Sequence, residues 1–132
     1  MAERCLTGVC RPRRTQGLRA PASEGEHVLI DLKGPGVFLA AQVTKQGGGS
    51  GLTFVDLDID GENVTNISFA AARNVGFTEQ NPYGLVLLGR DPQTLTIGFP
   101  VPLRFDKSLR LSVVVNEAGV VQVLANVIHG AV

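Results

Sequence analysis

The sequence predicts an all-β fold, a sandwich or a barrel, on three observations. From His27 onward, short apolar runs are separated by Gly, Pro, Asn and Asp at intervals of about 8–12 residues, the spacing of strand and turn. In "SLRLSVVV", Leu109, Leu111, Val113 and Val115 alternate with Ser108, Arg110, Ser112 and Val114, a two-residue period that puts the first set on one face of a strand. No apolar stripe of helical period and useful length appears. The composition agrees: 44% of the chain is apolar, Trp is absent and Tyr83 is the single tyrosine. Its Val, Thr and Gly content leans towards β structure. A chain of 132 residues and 14.0 kDa makes one domain. It should hide roughly 13,000–14,000 Å² of its unfolded surface, enough for a core without disulfide staples.

The first segment differs from the rest. Residues 1–20 hold Arg4, Arg11, Arg13, Arg14 and Arg19 against Glu3 alone, a net +4 that leaves −4 on the other 112 residues of a neutral chain. This split predicts a basic extended arm over 1–26 and a β domain over 27–132. The five arginines are the candidate partner-binding residues. An arm without an aromatic side chain offers no platform for single-stranded nucleic acid, so the expected partner is an acidic protein surface. Cys5 and Cys10, in "CLTGVC", match neither a redox CxxC nor zinc spacing and read as plain thiols. No apolar run approaches the ~20 residues of a membrane span, and no signal-peptide stretch is evident. A protein made in a reducing cytoplasm is expected.

The strands follow in order. "HVLIDLK" stops at the Gly34-Pro35-Gly36 turn, and "VFLAAQVT" runs into "KQGGGSG", too rich in glycine for helix or strand interior. "LTFVDLDI" and "NVTNISFA" come next, then one helical turn around Ala70 to Arg73. "YGLVLLG", "QTLTIGF", "VPLRF", "SLRLSVVV" and "VVQVLANVIH" complete about eight or nine strands. "NEAG", residues 116–119, joins the last two as a hairpin, with Gly119 placed for a positive φ. The "QGGGSG" loop can let backbone approach a ligand, but without a following helix or GK[ST] ending it is no phosphate cradle.

"DLDIDGEN", residues 56–63, begins like a calcium loop, with Gly61 at the sixth position from Asp56. The twelfth position is Ile67, which cannot ligate, and the flanks are strands. The stretch is therefore a strand entering an Asp60-Gly61 hairpin turn, and no metal or cofactor is expected. His27 and His129 stand singly, no GxSxG elbow exists, and no paired-carboxylate cleft is visible. The sequence predicts a non-enzymatic chain. Sequons at Asn63 and Asn66 would matter only in a secreted protein.

"GLVLLG" and "GVVQVLANVIHGAV" are apolar on both faces over part of their length. The second face is covered by another layer of the same chain or by another subunit. For the second case the candidate interface residues are Leu85, Leu87, Val121, Val123 and Val127. Pro100 and Pro102 belong at a sheet edge or corner, where they discourage edge pairing.

The last third, "TIGFPVPLRFDKSLRLSVVVNEAGVVQVLANVIHG", resembles the closing strands of small virion proteins from tailed bacteriophages, over about 35 residues. In those proteins a proline-bearing apolar strand leads through "F..SL.L.V" into a terminal hairpin of a jelly-roll-like antiparallel β-sandwich. The resemblance implies a structural protein of the virion, often trimeric, that decorates or cements a capsid or sits at a tail tip. It also implies an N-terminal arm reaching across a neighbour, such as the major capsid protein. The arm's cysteines and arginines fall outside that pattern. A host-surface or glycan-binding module, using the loops around "QGGGSG" and "TEQNPYG" with Tyr83 to stack, is the alternative.

Overall fold

The structure is a computed structural model that describes residues 5–6, 9–81, 84–89 and 92–132. It is an antiparallel β-sandwich with one short helix. The strands are β1 (Cys5–Leu6), β2 (Val9–Arg19), β3 (Gly25–Lys33), β4 (Gly36–Gly47), β5 (Thr53–Ile59), β6 (Glu62–Ser68), β7 (Leu85–Leu88), β8 (Gln93–Ile97), β9 (Leu103–Phe105), β10 (Ser108–Val115) and β11 (Val120–Ala131); α1 (Phe69–Asn74) follows β6. The larger sheet runs β1-β2-β11-β4-β8-β7, with β9 also paired to β4; the smaller runs β3-β10-β5-β6.

The alternation read from the sequence sets the layers. β10 is central in its sheet, and Leu109, Leu111, Val113 and Val115 are each 0% exposed. Facing them from the larger sheet are Val43, Leu95, Val123, Ala125 and Val127, also 0% exposed. At β5–β6 the two-residue turn forms as expected, Asp60 at φ 54° and Gly61 at φ 83°, the mirror-image turn whose twist matches the strands. β10 and β11 are joined across residues 116–119, with Gly119 at φ 82°. Ser68 caps α1, its Oγ accepting from the Ala71 amide at 3.0 Å, while Phe69 and Ala72 close one end of the core.

The segment expected to stand apart from the body is extended, but it lies within the sheet. β2 pairs with β11 from Arg19↔Val123 to Arg13↔His129, and Val9, Cys10 and Ala22 are buried. Gly17 makes this possible: a Cβ there would fall 2.1 Å from the Leu29 carbonyl oxygen, so only glycine lets β2 lie against β3. Among the described residues β1 and β2 add to the eight or nine strands read from the apolar runs, because a polar edge strand needs only backbone bonds and shows no apolar run. The thiol reading of the cysteines does not hold either. Cys10 is disulfide-bonded, and Cys5 is its register partner across β1–β2.

Candidate functional site

The two sheets present very different outer surfaces. On the smaller sheet, one cross-strand row is Asp31–Arg110–Asp58–Asn63 and the next is Val28–Ser112–Asp56–Asn66. Lys33 and Glu26 lie on the same face, and Arg110 pairs with Asp31 at 3.5 Å. Asn63 Nδ2 donates to Asp56 Oδ1 at 2.6 Å and to Asp58 Oδ1 at 2.9 Å. The aspartates are thus held by an amide on an ordinary charged, solvated face. No group of three or more His, Cys, Asp or Glu able to hold a metal occurs among the described residues.

The larger sheet carries three outward rows of another character. They read Arg14–Ile128–Ala40, then Gln16–Asn126–Gln42–Thr96–Val86, then Leu18–Leu124–Thr44–Thr94–Leu88. Arg14 is the only ionisable side chain in them. Leu18 is 57% exposed, Leu88 49% and Ile128 38%. The middle is a ladder of amides and hydroxyls: Asn126 Nδ2 donates to Gln42 Oε1 at 2.8 Å, Gln42 Nε2 donates to Thr44 Oγ1, and Thr44 and Thr94 hydroxyls meet at 2.9 Å. Asn126 Oδ1 is buried without a hydrogen-bond partner. Above the ladder lies a groove of about 710 Å³, bounded by Phe99 and Pro100 on one side and by Gln80 and Asn81 on the other.

Arg11, Arg13, Arg14 and Arg19 all lie on β2, at the edge of this sheet, and are exposed. Beyond Cys10, no strand among the described residues pairs with the outer side of β2. The edge is therefore guarded by arginines and by Pro12, which oppose pairing with a like strand. Arg4 and Tyr83 lie outside the described residues.

Three of the five predicted interface residues need correction. Leu87, Val123 and Val127 are 3%, 0% and 0% exposed, packed in the chain's own core. Leu85 is half-buried against that core, and Val121 is 55% exposed. The doubly apolar pattern was right about two apolar faces, but the outward one consists of Leu124 and Ile128, the opposite parity. A shift of one residue inverts a strand's faces.

The most elaborate polar cluster lies inside. Glu117, from "NEAG", accepts from Lys45 Nζ at 3.0 Å, Thr53 Oγ1 at 2.6 Å and the Gly51 amide at 3.1 Å. Lys45 and Glu117 side chains are 3% and 2% exposed. Burial pushes the Glu117 carboxyl up, but the bonds from Thr53, Lys45 and Gly51 outweigh it and hold the pKa below the usual glutamate value. Nothing in the sequence marks this pair, which lies 72 residues apart along the chain. Asp60 has a structural task as well, accepting from the amides of Asp106, Lys107 and Ser108 at 3.1, 2.7 and 3.1 Å. His129 meets Thr15 Oγ1 at 2.7 Å, and burial with the Arg13 charge holds its pKa below the usual value. No helix among the described residues is long and apolar enough to cross a membrane.

No protein-family model matches the chain, and no curated protein matches it. Among solved structures, a serine protease of Aeromonas sobria aligns with a TM-score of 0.45 at 9% identity, over 91% of this chain and 27% of that one. The structure of infectious bursal disease virus, Gx strain, aligns with a TM-score of 0.41 at 15% identity, over 92% of this chain and 33% of that one. The chain spans a third or less of either, and at such scores neither likeness bears on its task.

Proposed function

We propose that this chain is a non-enzymatic structural protein of a virion, a decoration or cement protein that assembles as a homo-oligomer, a trimer by the phage resemblance. One observation carries the reading: three adjacent outward rows of the larger sheet hold Arg14 as their one ionisable side chain, while the outer face of the smaller sheet is densely charged. Amides and hydroxyls both donate and accept, so a second copy can satisfy the ladder while Leu18, Leu88, Leu124 and Ile128 leave water. Within these rows Arg14 is the only charge that such a contact brings together. Arg13 and Arg19, of the other parity on β2, are then left at the rim to meet an acidic shell surface. A disulfide at Cys10 suits a particle that persists outside a reducing cell. A contact of about 1,600 Å² is enough for a specific interface, and repetition over a lattice multiplies it.

Light scattering on the purified chain tests the proposal. Wild type should be oligomeric at micromolar concentration, and Leu124→Lys should be monomeric with an unchanged circular dichroism spectrum. A monomeric wild type sinks the self-assembly reading. The groove favours a second reading, a host-surface or glycan-binding module, because its size suits a ligand and Asn126 Oδ1 lacks a partner. Glycan-array binding that is lost in Asn126→Ala would support that module.

A further inference from the structure

A second cavity, of about 340 Å³, opens beside the glycine loop that follows β4. Among the described residues its walls are Lys45, Arg73, Gln93 and the backbone of the loop, with no carboxylate. Lys45 and Gln93 are register partners on β4 and β8, 3% and 5% exposed. Glu117 takes one of the three Lys45 N–H groups, and the ammonium lies 5.4 Å from the centroid of the Phe69 ring. Gln93 is more telling. Its side-chain amide has no hydrogen bond among the described residues and lines the cavity, so it is open to a ligand there.

The charges select the ligand. Lys45 and Glu117 cancel, and Glu117 is already saturated by Lys45, Thr53 and the Gly51 amide. Arg73, exposed in the last turn of α1, has no ion-pair partner among the described residues. Among the described residues, one positive charge is therefore left over at a polar cavity. The loop is shaped around the same cluster: a Cβ at Gly48 would fall 2.3 Å from Glu117 Oε1, and Gly47, Gly48 and Gly51 all have positive φ.

The geometry points to a binding site for a small carboxylate ligand at this end of the sandwich, with the carboxylate on Arg73 and a neighbouring hydroxyl or amide of the ligand on Gln93. The planar guanidinium fork matches two carboxylate oxygens, and the single surplus charge matches a monoanion. Gln93 both donates and accepts, so it completes its bonds with either partner type. The cavity is at the small end of the range for ligand pockets and admits a molecule the size of one sugar acid. The site is on a different surface from the docking face, so the two proposals fail separately.

The test is a titration of the full ¹⁵N-labelled chain with sodium glucuronate, glucose, sodium phosphate, or sodium chloride at matched ionic strength. Glucuronate should produce saturable shifts at the Gly48, Gly49 and Gly51 amides and at the Gln93 side-chain amide. Affinity should fall at least tenfold in Arg73→Gln and should also fall in Gln93→Met, with both variants retaining the wild-type spectrum elsewhere. Equal shifts with glucose or chloride overturn the site, as does unchanged affinity in Arg73→Gln. Tighter saturation of the same resonances by phosphate overturns the carboxylate assignment.

Discussion

Glu117 illustrates how little a residue's sequence neighbourhood reveals of its task. In "NEAG" it reads as a solvated hairpin residue, yet the fold buries it against Lys45 and makes it the anchor of Thr53 and Gly51. Removing one member of a buried ion pair leaves the other charge uncompensated. Glu117→Ala should therefore cost about 3–5 kcal/mol, read by urea denaturation. The pH dependence has a definite sign. The folded pKa lies below 4.5, so the stability due to this carboxylate is fully present above that value and is lost as pH falls through the folded pKa. Glu117→Gln should remove that part of the acid limb. Asp60 was legible as a turn residue, because Asp-Gly between alternating strands signals a hairpin. Its bonds to the amides of 106–108 were not, since they join segments 46 to 48 residues apart.

Among the elements, β2 departs furthest from expectation. Its sequence, "VCRPRRTQGLR", has no apolar alternation and contains a proline, so it resembles a solvated segment. It is a strand because β11 has an edge to offer and Gly17 permits close approach to β3. Deleting residues 1–26 should therefore do more than weaken attachment. It uncovers the edge of β11 and strips Val9, Cys10 and Ala22 from the interior, so the truncated chain should melt at a clearly lower temperature and aggregate. Replacing Arg11, Arg13, Arg14 and Arg19 by Gln should instead leave the melting temperature close to wild type while weakening attachment to an acidic surface. β10 is the contrasting case. Its alternation in the sequence is the alternation in the fold, because a central strand under a core has one inward parity that every side chain must obey.

For the whole molecule, what matters is the contrast between its two outer faces. Because the three central outward rows of the larger sheet hold one charge, the oligomer measured by light scattering should change little between low and high salt. Contacts made by the β2 arginines should weaken as salt shortens the screening length. Burial of the docking face and pairing of the arginines are thus separable in one experiment. The glycine-loop cavity is a third feature at this scale, assembled by β4, β8, α1 and the loop together.

The sequence by itself determined the all-β class, the order of the strands from β3 to β11, the turns at Asp60-Gly61 and 116–119, and the inward set on β10. Each of these depends on neighbours along the chain, where two-residue periodicity and turn chemistry act directly. Only the tertiary structure decided that the basic segment is an edge strand, which parity of β11 faces outward, and that Lys45 and Glu117 meet. These depend on which strands lie side by side, and pairing brings together residues that carry no local mark of one another.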